Sequence, residues 1–98
     1  LDFSNPDLER FPALGLGFRV VQEGGTSGAV FNAANEALVD AFWAGRIGFL
    51  DITDINAEVV AEHLTSGHVT DNDLTVDAVL AADAWGRARA AEIVEARA

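Results

Sequence analysis

The 98-residue chain contains no cysteine. That removes disulfides, thiolate zinc sites and thiol catalysis together. It contains no methionine and begins at Leu1. A complete reading frame starts with Met, so the expectation is a piece of a longer protein. Lysine is absent too, and six arginines face 16 Asp and Glu, for a net charge of −10. Nucleic acids and anionic membrane surfaces both demand a basic face, so neither is expected as a partner. No apolar run approaches the roughly 18 residues that cross a bilayer, and no signal peptide is visible. A cytoplasmic location is the expectation that fits.

What is present is half apolar. One domain of this size can bury a core, although its large surface leaves it marginally stable. Residues 1–11 read as an extended segment. Leu1, Asp2 and Phe3 alternate like the end of a strand, and Ser4-Asn5-Pro6-Asp7 has turn chemistry. The remainder, 12–98, reads as four helices.

The first helix runs from Pro12, a residue suited to the first helical position, to about Gln22, with Gly24-Gly25 as its stop. Leu14, Phe18 and Val21 form its expected stripe, with Leu16 and Val20 beside it, and Gly15 and Gly17 leave room for a close helix contact. The second helix starts between Thr26 and Ala29, ends at Gly45, and carries Val30, Ala34, Leu38 and Phe42 on one face. The third spans about Asp51 to Leu64, with Asp51 or Thr53 as its N-cap and Ile52, Ile55 and Val59 inward. Residues 65–73 read as a loop. The fourth helix follows Thr75, with Val76, Leu80, Ala84, Ala88 and Ala91 at near-helical spacing. The fold class is therefore all-α: a four-helix bundle preceded by a short extended linker or strand remnant.

Several constellations fail as active sites. Gly15-Leu16-Gly17 has Val20 where a dinucleotide loop needs its third glycine, and no strand precedes it. Asp71-Asn72-Asp73 has Val76 where a calcium loop needs glycine and Ala82 where it needs a bidentate Glu. His63 and His68 lack a third ligand at helical spacing and read as two solvent-facing histidines. An acyl carrier would need an attachment serine followed by Leu, whereas Gly follows both Ser27 and Ser66. No catalytic, cofactor-binding or metal-ligating residue is assigned.

The informative motif is Asn32-Ala33-Ala34-Asn35-Glu36. Asn32, Asn35 and Glu36 stand at i, i+3 and i+4 and share one helix face. Their expected role is structural: amides buried against a neighbouring loop or helix end, fixing how the helices dock.

This motif belongs to a longer pattern. It includes Pro6-Asp7, Arg10-Phe11-Pro12-Ala13-Leu14, Gly24-Gly25-Thr26, Ala41-Phe42 and Ala44-Gly45-Arg46-Ile47. Phe49, Asp51-Ile52, Val79-Leu80, Ala82-Asp83-Ala84 and Arg87 follow at matching spacing. The pattern resembles the C-terminal part of the 1-deoxy-D-xylulose 5-phosphate reductoisomerase family, strongly over 6–52. The resemblance implies a homodimeric parent enzyme that uses NADPH and Mg or Mn to form 2-C-methyl-D-erythritol 4-phosphate in isoprenoid synthesis. It also implies that the NADPH, metal and phosphate sites lie outside this chain, whose helical bundle supports the catalytic domain of the same polypeptide and is inactive alone. Gly15, Gly17, Ser27-Gly28 and residues 65–73 depart from the family pattern. The competing expectation is a free-standing acidic helical module that binds a protein partner.

Overall fold

A computed structural model describes residues 12–97. The extended segment expected over 1–11 lies outside them. Among the described residues the chain is all-α, with helices α1 (Pro12–Glu23), α2 (Ser27–Trp43), α3 (Phe49–Ser66) and α4 (Val76–Arg97), plus one 3-10 turn at Asp71–Asp73. The helix count and order are those expected from the periodicity.

Helix α2 is the central element. It packs most extensively on α4, next on α3, and α1 lies against both α2 and α3. Val30, Ala34 and Leu38 of α2 meet Ile55, Val59 and Val60 of α3 and Ala90, Ile93 and Val94 of α4 in one core. The close α2–α4 approach has a local cause. A Cβ added at Gly86 would lie 2.9 Å from the Val30 carbonyl oxygen, so only glycine lets the two backbones meet there.

Two helix faces differ from the expected ones. In α1, Leu16 is buried and Val20 packs on the core, while Phe18 and Val21 are exposed. A 12-residue helix with apolar residues at 16, 18, 20 and 21 offers two overlapping stripes, and packing selects the Leu16 side. In α4, Val76 and Leu80 are exposed and Ala82, Gly86, Ala90, Ile93 and Val94 are buried. Here small residues win because they allow the tight α2–α4 contact. Gly17, expected to permit a close helix contact, has nothing within 4 Å of an added Cβ among the described residues.

The helix starts also have specific causes. Helix α3 begins at Phe49, not at Asp51 or Thr53, and its N-cap is Gly48. Asp51 serves from the third helical position, where its carboxylate accepts the Gly48 N–H at 2.7 Å. The Thr75 hydroxyl accepts the Ala78 N–H at 3.0 Å and opens α4. Exposed ion pairs link the helices: Arg46 to Glu95, Arg87 to Glu36, Arg89 to Glu62, and Arg97 to Glu58 and Asp51.

Candidate functional site

The densest polar cluster is a clasp between the α1–α2 turn and the α3–α4 connection. It begins with Gly24 and Gly25, whose φ of +60° and +55° reverse the chain in a conformation that side chains rarely adopt. The reversal aims the Gly25 and Thr26 N–H groups at the second loop. Thr26 N donates to Val69 O at 2.9 Å, and Gly25 N donates to Asp71 Oδ1 at 2.7 Å. Val69 N donates back to Thr26 Oγ1 at 2.9 Å, while His68 Nε2 donates to Gly24 O at 3.0 Å. Ser27 Oγ, 2.5 Å from Gly24 O and 3.1 Å from Val20 O, ties the end of α1 to the start of α2.

His63 is buried in the cluster, as Thr26 and Ser27 are, and so corrects the expectation of two solvent-facing histidines. Its Nε2 lies 2.7 Å from Thr26 Oγ1. That hydroxyl also accepts the Val69 N–H, and a neutral His63 ring with its proton on Nδ1 takes the hydroxyl proton at Nε2. Burial, and then the neighbouring His68, lower the His63 pKa below its ordinary 6.5. The His68 ring stands edge-on to His63 at 5.9 Å, and the Trp85 ring of α4 lies 5.5 Å away on a tilt. An open cleft lined by His63, Gly67, Val69, Ala82 and Trp85 adjoins the cluster.

The polar atoms that meet across the clasp bond to one another. His63 Nε2 and His68 Nε2 bond to Thr26 and Gly24, and Asp71 Oδ1 takes the Gly25 N–H. Among the described residues no three His, Asp or Glu side chains converge in a way that could hold a metal ion. The arrangement can join two loops; it does not present a nucleophile, a base and an oxyanion site together.

The motif Asn32, Asn35, Glu36 sits elsewhere, on the outer side of α2. Asn32 and Glu36 are exposed and Asn35 is half-buried. The expectation of buried amides at this motif is therefore corrected for Asn32. Asn35 lines a small cleft with Leu16, Phe31, Ile52 and Asn56. Glu36 reaches α4, where its Oε2 accepts from Arg87 Nη2 at 2.6 Å. That hydrogen bond, ahead of the nearby carboxylates, raises the Arg87 pKa.

The buried amide belongs instead to Asn56 of α3, 1% exposed, whose Nδ2 donates to Phe31 O at 3.2 Å. Asn56 and His63 were missed as inward residues although a signal exists for both. Asn56 stands four after Ile52 and three before Val59, and His63 stands four after Val59, so both lie on the core face.

A family model for the DXP reductoisomerase C-terminal domain matches residues 1–89. The chain belongs to this family. It is similar to the 1-deoxy-D-xylulose 5-phosphate reductoisomerase of Cutibacterium acnes, with 56% identity over 99 residues, covering 93% of this chain and 24% of the relative. The same enzyme of Kitasatospora griseola is 51% identical over 94% of this chain and 23% of its own length. That of Trichlorobacter lovleyi is 46% identical over 95% of this chain and 23% of its own length. This DXP reductoisomerase C-terminal domain thus spans about a quarter of the curated relatives it matches. Its clasp is built on Gly24-Gly25-Thr26, one of the segments that carried the resemblance.

Proposed function

We propose that this chain is the supporting domain of a 1-deoxy-D-xylulose 5-phosphate reductoisomerase, with 1–11 as the connection and 12–98 as the bundle. The parent converts 1-deoxy-D-xylulose 5-phosphate to 2-C-methyl-D-erythritol 4-phosphate, acts as a cytoplasmic homodimer, and uses NADPH with Mg or Mn. The observation that carries this reading is the family match over 1–89 in a chain about a quarter as long as its relatives. The described residues themselves do not fit either group. Gly15 and Gly17 lie inside α1, not in a loop after a strand, and the two histidines are committed to the clasp. No reaction step is therefore assigned to this chain.

Its contribution is mechanical. A helical bundle tied at one end by its own loops holds neighbouring strands and loops in place. Within it, Glu36 of the Asn32, Asn35, Glu36 motif braces the helix arrangement through its link to Arg87 between α2 and α4.

The test compares the full-length parent with the isolated chain, each given 1-deoxy-D-xylulose 5-phosphate, NADPH and Mg. The full-length protein oxidises NADPH and the isolated chain does not. Turnover by the isolated chain overturns the division of labour. Absence of turnover by the full-length protein overturns the assigned activity.

A further inference from the structure

The two ends of the bundle are unlike. At the clasp end the polar groups of the two loops pair with one another. The other end carries the α2–α3 turn, where Trp43, Phe49 and Leu50 are 79%, 70% and 78% exposed. These side chains form one surface. The Phe42 ring lies 5.4 Å from Trp43 and 5.8 Å from Phe49, the second pair edge-to-face. Around them runs a charged rim of Arg46 paired with Glu95 and Asp51 near Arg97. An aromatic centre with a polar rim is the composition of a recognition surface, because large rings supply contact area and charges stay solvated at the edge.

The topology indicates what covers it. Leu16 of α1 shares a cleft with Ile52 and Thr53 in the first turns of α3. Helix α1 ends at the clasp, so its N-terminus lies at the opposite end, the end that carries Phe49 and Leu50. The chain therefore enters α1 at the end of the bundle that carries this patch. The matched relatives are about four times as long as this chain, and the chain corresponds to their C-terminal domain, so the bulk of the parent precedes α1. A second exposed apolar group, Leu74, Val76 and Leu80, lies beside the clasp, away from that entry point.

We infer that the Phe42–Trp43–Phe49–Leu50 surface is the seat of the preceding, catalytic portion of the same polypeptide. The inference rests on the reading of this chain as a supporting domain. It adds the face that does the supporting and the chemistry of what sits there: an apolar, aromatic-accepting patch bordered by hydrogen-bonding groups that match Arg46 and Asp51.

The experiment uses the full-length reductoisomerase. Hydroxyl-radical footprinting reads side-chain exposure at Trp43, Phe49 and Leu50 in the native enzyme, against the same sites in urea. Labelling of native Trp43 falls roughly tenfold below the value its 79% exposure gives, toward that of 8%-exposed core residues such as Leu16. Unprotected Trp43 and Phe49 overturn the inference. The occupant is then identified by Phe49→p-benzoylphenylalanine in the full-length enzyme, made as a mixture of light and heavy-isotope chains. Photocapture of a segment upstream of Leu1 in a chain of the same isotope supports the inference. Capture of a different-isotope chain places a second copy on the patch and overturns it, and so does failure to capture anything. NADPH oxidation by the same unmodified preparation is scored separately, so loss of the assigned activity and loss of the docking face are distinguishable.

Discussion

Replacing Gly25 with alanine tests the clasp most directly. A Cβ built on Gly25 lies 1.9 Å from the Val69 carbonyl oxygen and 3.0 Å from His68 Nε2. Val69 O is backbone, so no rotamer change relieves the contact. The connection must move away, which breaks Thr26 N–H to Val69 O, Val69 N–H to Thr26 Oγ1 and Gly25 N–H to Asp71. Three hydrogen bonds at about 1 kcal/mol each add to about 1–2 kcal/mol for an L-residue at φ +55°. The expected loss is about 4–5 kcal/mol, a large share of the roughly 5–15 kcal/mol typical of a whole domain. Gly45→Ala is the control, because Gly45 has φ +76° with nothing within 4 Å of an added Cβ. It carries only the backbone cost of about 1–2 kcal/mol. Urea unfolding followed by helical circular dichroism separates the two variants by about 3 kcal/mol. If Gly25→Ala is no more than about 1 kcal/mol worse than Gly45→Ala, the two loops do not approach as described and the clasp argument fails.

Three further outcomes follow from the same packing. Folding holds His63 neutral, so the unfolded chain takes up that proton first; the stability it contributes is complete above pH 6.5 and declines as pH falls below 6.5 toward the lowered native pKa. Urea midpoints measured across that window fall less steeply for His63→Gln than for the unaltered chain, and equal slopes would contradict the assignment. Gly86→Ala pushes a methyl to within 2.9 Å of Val30 O and lowers stability by about 1–3 kcal/mol despite better helix propensity, whereas Gly17→Ala, with open space around it, raises stability by up to about 1 kcal/mol in thermal unfolding. Asn56→Asp puts a carboxylate at a 1%-exposed site facing the Phe31 carbonyl and costs at least about 2 kcal/mol at neutral pH, while Asn56→Leu stays within about 1 kcal/mol because Asn56 Oδ1 has no partner to lose among the described residues.

The elements were legible where one strong signal stood alone. Gly24-Gly25 ends α1 as expected because two consecutive positive φ angles admit little else. The α2 face Val30, Ala34, Leu38 was legible because apolar residues recur there at a strict four-residue spacing. The faces of α1 and α4 were not. In α4 the exposed Val76 and Leu80 outweigh the buried Ala82, Gly86 and Ala90 in any apolar pattern, yet the α2 backbone comes close only where side chains are small. The site was half legible. Gly24-Gly25-Thr26 stands out in the sequence, but its partner across the clasp is the backbone of Val69, 43 residues from Thr26, and backbone hydrogen bonds leave no mark on residue type. His63 and His68 read as solvent-facing because neither has a third ligand nearby in sequence, whereas their partners are a hydroxyl and a carbonyl from a distant turn.

The contrast between the two ends bears on how a domain this small holds together. The clasp fixes one end with local hydrogen bonds, each worth about 1 kcal/mol net. At the other end, three large apolar side chains still face solvent. Burying a side chain of that size is worth about 1.5–3 kcal/mol. Covering Trp43, Phe49 and Leu50 would therefore add several kcal/mol, comparable with the stability of a typical isolated domain. The supporting relation then runs in both directions: the bundle positions the portion that precedes it, and that portion completes the bundle's apolar end. On this argument the isolated chain melts well below the same residues within the full-length enzyme. Substituting Trp43 with Gln narrows that gap by destabilising the enzyme while leaving the isolated chain nearly unchanged.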